Sequence, residues 1–203
     1  MIVAKRGDKG KRVQVIQRLL KIYQDGIFGP MTEEAVKEFQ SANKLAVDGI
    51  VGVKTWQKLA GLLLLPSTRT ITEIIVHCTA TPEGKDYTVD DIRRWHKQRG
   101  FADVGYHYVI YRDGSLHPGR NINVAGAHCT GHNTRSIGVC YVGGVAKDAK
   151  TPKDTRTPQQ KEALQNVIIT LKATYPHAKV YGHRDFANKA CPSFDAKKEY
   201  IAL

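Results

Sequence analysis

Long apolar runs are missing from this chain. The longest aliphatic stretch, Leu62 to Leu65, has four residues, against about 20 for a helix that spans a bilayer, so no stable membrane insertion is expected. The N-terminus, Met1-Ile2-Val3-Ala4-Lys5-Arg6-Gly7-Asp8, lacks the apolar segment of a secretory signal. That implies synthesis in the cytoplasm and, for any action outside it, release by a route that needs no such signal. Cysteine is scarce too. Four residues, at positions 78, 129, 140 and 191, are too few and too scattered for a disulfide scaffold. Cys78 and Cys140 lie in apolar, strand-like runs, where a reduced thiol behaves as a small core residue; Cys129 is left undecided. Acidic residues are also in deficit, 19 against 31 basic, for a net charge of +12. Residues 1–65 carry 11 basic and 6 acidic side chains, so the excess is spread along the chain. Such a field favours nucleic acid, membrane surfaces or acidic wall polymers. No recognition-helix or basic-aromatic motif supports the first of these, and nucleic acid is not expected as a partner.

What is present begins with an internal repeat. Asp25-Gly26-Ile27-Phe28-Gly29-Pro30-Met31-Thr32 is echoed 23 residues later by Asp48-Gly49-Ile50-Val51-Gly52-Val53-Lys54-Thr55. Each copy reads as a tight turn leading into a helix, with Pro30 suited to a first helical turn. Val13, Ile16 and Leu20 recur at helical spacing, as do Val36 and Phe39. Three short helices over roughly 9–22, 30–42 and 53–60 would form a small bundle. The chain then divides into a helical domain over 1–62, a linker over 63–70 containing Pro66-Ser67-Thr68, and a second domain over 71–203.

From Thr72 strands alternate with helices. Glu73–Cys78, Gly105–Tyr111, Ser115–His117, Ile137–Val142 and Lys179–His183 read as strands. Thr88 caps a helix ended by Gly100. Thr157-Pro158-Gln159-Gln160 is a capping box that launches a helix bearing Leu164, Val167, Ile168 and Leu171. A last helix follows Asp195. The fold class is α/β: a mixed central sheet flanked by helices, preceded by the three-helix bundle.

The chemistry concentrates near the C-terminus. His183 and Cys191 stand eight residues apart with Lys189 between them. Imidazole and thiolate both ligate zinc, and a catalytic site uses three protein ligands with the fourth position open to water. Bound zinc lowers the pKa of water from about 15.7 to near 7.

The repeat and its helices resemble the peptidoglycan-binding domain found at the ends of bacterial and phage wall hydrolases. Five further segments, in order, resemble the phage-lysozyme type of N-acetylmuramoyl-L-alanine amidase, whose fold peptidoglycan recognition proteins share. They are Ile75-Val76-His77-Cys78-Thr79; Ile92-Arg93-Arg94-Trp95-His96; Asp103 to Tyr108; Gly126-Ala127-His128 through Asn133 to Ser136-Ile137-Gly138-Val139; and His183 through Lys189-Ala190-Cys191-Pro192-Ser193. The resemblance implies zinc held by His77, His183 and Cys191, with Tyr106 and Lys189 as catalytic partners. Tyr106 would orient water or shuttle its proton, and Lys189 would stabilise the oxyanion. His128 and Asn133 match positions that contact the muropeptide, and Trp95 and Arg99 sit on a helix placed to line the groove. Strand alternation turns His107 away from Tyr106; Arg120, His96, His117, His132 and His177 read as surface or structural residues. The implied protein is a monomeric phage or prophage endolysin acting on bacterial peptidoglycan after release. A non-catalytic recognition protein, a muropeptide-recycling amidase and a regulator of an intracellular partner are the alternatives.

Overall fold

A computed structural model describes residues 2–61, 64 and 66–203. Of the Leu62–Leu65 run, only Leu64 lies among the described residues, and it is buried. The chain forms two compact units. The first comprises Met1–Leu65 with Asn166–Pro176 and Ala202–Leu203; the second comprises Pro66–Gln165 with His177–Ile201. Along the sequence the division is 1–62, a linker over 63–70 and 71–203; in this grouping Asn166–Pro176 and Ala202–Leu203 join the N-terminal unit. The stretch Asn166–Pro176 belongs with the first unit, where the buried Trp56 indole N–H donates to Thr170 Oγ1 at 2.6 Å.

In the first unit β1 (Ile2–Ala4) is followed by α1 (Lys11–Leu19) and α2 (Pro30–Ala42). β2 (Val51–Gly52) pairs antiparallel with β1 and leads into α3 (Val53–Leu59). The three helices fall where expected, with α1 shorter at both ends. The repeat has a physical basis that the turn residues alone do not reveal. Gln17 is buried, and its Nε2 donates to Asp25 Oδ1, Ile27 O and Thr32 Oγ1 at 2.7, 3.1 and 3.0 Å, while its Oε1 accepts from Gly26 N–H at 2.8 Å. Gln40, 23 residues on, donates to Asp48 Oδ1, Ile50 O and Thr55 Oγ1 at 2.8, 2.9 and 3.2 Å and accepts from Gly49 N–H at 2.9 Å. Gly26 and Gly49 have φ of 72° and 71°, a left-handed turn that glycine adopts without steric cost. Two buried glutamines therefore each satisfy one turn, and each such hydrogen bond is worth about 1 kcal/mol net.

The second unit is built on a five-stranded sheet. Its strands are β3 (Glu73–Cys78), β5 (Tyr108–Ile110), β6 (Leu116–Pro118), β7 (Ser136–Tyr141) and β9 (Lys179–Gly182), in the order β6-β5-β7-β3-β9. Only the β5–β6 pair is antiparallel. A small pair, β4 (Thr81–Pro82) with β8 (Gly144–Val145), sits beyond the ends of β3 and β7. α4 (Val89–Gln98) starts at a capping box in which Thr88 and Asp91 exchange bonds, and Ile92 packs into a core with Val104, Val109 and Cys140. α5 (Pro158–Thr174) has its expected box as well: Gln160 Oε1 accepts from Thr157 N–H, and Thr157 Oγ1 from Gln160 N–H, both at 3.1 Å. The buried Gln160 amide also donates to Ile110 O and Val142 O at 3.3 and 2.9 Å. α6 (Ala196–Glu199) is a single turn capped by Asp195. The mixed α/β architecture is the one expected, and β3, an interior strand between β7 and β9, carries His77.

Two histidines outside the donor cluster are locked as neutral acceptors. His96 Nδ1 accepts from Gly105 N–H at 2.8 Å and His107 Nδ1 from Gly138 N–H at 3.0 Å. Burial pushes each pKa down to about 4, below the unfolded value of about 6.5. Between those values the unfolded chain binds the protons and the folded one does not. Stability should therefore be fully present above pH 6.5 and fall toward pH 4, at about 1.4 kcal/mol per pH unit for each histidine. Melting temperature measured from pH 7 to 4 checks this; a flat profile would contradict it.

Candidate active site

β3 and β9 run parallel, with Val76 paired to Gly182, so the ends of both strands deliver side chains to one place. His77 is the next residue on β3, and His183 opens a short 3-10 turn after β9. The loop that follows returns Cys191, whose backbone carbonyl accepts from Arg184 N–H at 2.7 Å. Ligand atoms of His77, His183 and Cys191 lie within 4.8 Å of one another, and Cys191 Sγ is 3.8 Å from His77 Nδ1. An ion bound tetrahedrally at zinc distances would hold nitrogen and sulfur about 3.5 Å apart, so this donor set could accept one with little movement. The Cys78 N–H reaches Cys191 Sγ at 3.3 Å, which suits a sulfur carrying negative charge.

The charge states follow from burial. His77 is fully buried and its pKa lies well below the usual range, first from desolvation, then from His128, His183 and Lys189. His183 is lowered for the same first reason and by Lys189. Both imidazoles are thus neutral and ready to donate a lone pair. The Cys191 thiol is pushed up by its neighbour Cys78 and by burial, so a cation would have to displace its proton.

Tyr106 lies against this cluster, its ring centroid 5.1 Å from that of His77 and 5.3 Å from that of His96. Burial drives its phenol pKa well up, keeping the hydroxyl protonated as a donor. Alongside is a cavity of about 340 Å³ walled by His128, Asn133, His183 and Lys189 together with Phe101, Ala127, Cys129 and Thr130. Lys189 is exposed at its edge. Asn133 Oδ1 accepts from the N–H groups of His128 and Cys129 at 2.9 and 3.0 Å, so it shapes the loop that forms this wall. Trp95 packs edge-on against Tyr87, centroids 5.0 Å apart, and is not in the cavity wall. Arg99 is exposed, with its guanidinium 5.6 Å from the Phe101 ring. His107 points to Arg69 and Val124 O. Arg120 donates to Asp103, Val104 and Ala125 carbonyls.

A family model for N-acetylmuramoyl-L-alanine amidase matches residues 67–194, which include every one of these side chains. The chain belongs to the N-acetylmuramoyl-L-alanine amidase family. A second family model, a peptidoglycan binding domain, matches residues 9–59. The endolysin of Enterobacteria phage K11 is 48% identical over 127 residues, 62% of this chain and 83% of that one. The endolysin of Escherichia phage T7 is 45% identical over 125 residues, with 62% and 82% covered. Among solved structures, the N-acetylmuramoyl-L-alanine amidase LysC from Clostridium intestinale superposes with a TM-score of 0.56 at 29% identity, covering 66% of this amidase and 83% of LysC.

The amidase also has features that its sequence did not announce. Phe101 lines the cavity without belonging to any motif, Thr130 lines it without having been singled out, and Cys129 sits beside them, buried, its thiol raised by desolvation. All four cysteines are free. His132, between Glu73 and the Phe186 ring, fastens the loop carrying Asn133 to the loop carrying Lys189: its Nδ1 is 2.8 Å from Glu73 and its ring centroid 3.7 Å from that of Phe186.

Proposed function

We propose that this peptidoglycan amidase is a zinc enzyme of phage-endolysin type, cutting the amide between the lactyl group of N-acetylmuramic acid and L-alanine. The observation that carries this reading is the meeting of two neutral imidazoles and one thiol beside Tyr106, at a cavity that also holds Lys189. His77, His183 and Cys191 would hold the ion, leaving one position open. Bound there, zinc would supply a nucleophilic water at neutral pH and polarise the scissile carbonyl. Lys189, an ammonium at the cavity edge, offers a donor to the oxyanion that develops on that carbonyl. Tyr106 keeps its proton and so acts as a hydrogen-bond donor to the reacting oxygen rather than as a base. Cavity-wall residues His128 and Asn133, and Arg99 beyond Phe101, lie where the muropeptide would run.

The peptidoglycan binding domain would hold the enzyme on its polymeric substrate, raising the local concentration seen by the amidase. No helix among the described residues is long and apolar enough to cross a membrane. Kinship with phage endolysins supports action on the wall after release. Digestion of purified peptidoglycan, followed by end-group and mass analysis, tests the reading. New L-alanine amino termini without new reducing sugar ends are expected, lost on chelation and restored by zinc. New reducing ends, or activity indifferent to chelator, would overturn it.

A further inference from the structure

His128 stands out because its ring is placed by more of the fold than a groove residue needs. It is buried, and its Nδ1 is 3.0 Å from Nε2 of His77. Its Nε2 lies 3.4 Å from Ser136 Oγ. Two glycines make the space for it: a Cβ on Gly126 would stand 2.3 Å from His128 Cδ2, and one on Gly138 2.6 Å from the same atom. Its own backbone N–H is held by Asn133. On the far side of the His77 ring, Nδ1 faces Cys191 Sγ. The nitrogen of His77 turned toward the donor cluster is therefore Nδ1, and the one turned toward His128 is Nε2.

A neutral imidazole that ligates through Nδ1 must carry its proton on Nε2. That proton points at His128 Nδ1, which can accept it only as the Nε2–H tautomer, and that tautomer in turn donates toward Ser136 Oγ. The directions are consistent along the whole row. We infer that His128 is a positioning residue, fixing the tautomer and tilt of the metal ligand His77 through a histidine-to-histidine hydrogen bond. The inference rests on the zinc reading above. Metal-bound histidines commonly hand their second N–H to a carboxylate, carbonyl or water; here a neutral ring takes that place. Cys191 is then the only anion among these groups, and the site keeps more positive character than it would with a carboxylate behind His77.

The test uses the full chain loaded with zinc. Nitrogen-15 NMR of the histidine rings in the unmodified protein should find His77 protonated at Nε2, with a coupling across the hydrogen bond to an unprotonated His128 Nδ1. A proton on His128 Nδ1, or none on His77 Nε2, would overturn the inference whatever the variants do. His128→Leu removes the acceptor and should weaken zinc affinity by about 10- to 100-fold in chelator competition. His128→Asn, which returns an acceptor near the Nδ1 position, should recover most of that loss. A folded His128→Leu protein that binds zinc as tightly as the unmodified chain would also refute it. Should the unmodified chain take up no zinc at all, the metal reading fails and this one with it. Zinc uptake with the wrong tautomers defeats only the role of His128.

Discussion

Cys191→Ala is expected, with His77, His183 and Cys191 holding zinc as proposed, to abolish tight zinc binding and to reduce hydrolysis by orders of magnitude. Structural zinc sites bind with about 10–16 kcal/mol over four ligands, or roughly 3 kcal/mol each, which is about two decades in affinity for one lost donor. The thiol is also the one ligand of the three that can bring negative charge. With His77 and His183 neutral, its removal leaves the ion without charge compensation. The same argument predicts the proton balance. Without a cation the Cys191 thiol is held protonated by its contact with Cys78 and by burial, while burial keeps both histidines neutral. Zinc uptake near pH 7 should thus release one proton from the thiol and part of a second from the water at the open position, whose pKa falls to near 7, measurable by titration calorimetry in two buffers of different ionisation enthalpy. Retention of full zinc and turnover by Cys191→Ala would remove the ligand from the scheme; release of more than two protons would mean that a histidine starts out charged.

Lys189→Ala should do something different: keep the zinc and lose the rate. The lysine lies in the cavity wall, exposed, and is not one of the three clustered donors. Removing a single oxyanion donor typically costs about 3 kcal/mol, a factor of 10² to 10³ in kcat. Zinc content by atomic absorption and turnover on a soluble muropeptide, measured on the same preparation, separate the two effects. Unchanged turnover would refute the assigned role. Coincident loss of zinc would recast Lys189 as a residue that holds the loop between His183 and Cys191.

Much of this was written plainly in the chain. The helix starts at Thr88 and Thr157 are side-chain capping signals that act within three residues, and both form. β3 and β7 read as strands because each carries an unbroken apolar run, Ile74–Val76 and Val139–Tyr141, as befits strands buried on two faces. What stayed hidden depends on closeness between residues far apart in sequence. The His77–His128 bond spans 51 residues, and no periodicity marks it; the trace it leaves is Gly126 and Gly138, whose missing side chains make sense only once the ring between them is seen. Nothing in the sequence marks Gln17 and Gln40 as the residues over which the two turns fold back. The expected strand over Gly105–Tyr111 in fact begins at Tyr108: His107 N–H still reaches Gly138 O of β7, but Gly105 O is taken by Ala127 N–H from a loop.

The twin glutamine hubs leave a mark on how the wall-binding half can change. Each turn is wired entirely through Gln, Asp, Gly and Thr at matching places, so the remaining positions of the two copies owe nothing to that circuitry. Where one copy exposes Tyr23 and Met31, the other exposes Ala46 and Lys54. One chassis therefore carries two differently dressed turns, and the exposed residues of either can change without touching the bonds that hold its own turn or its twin's.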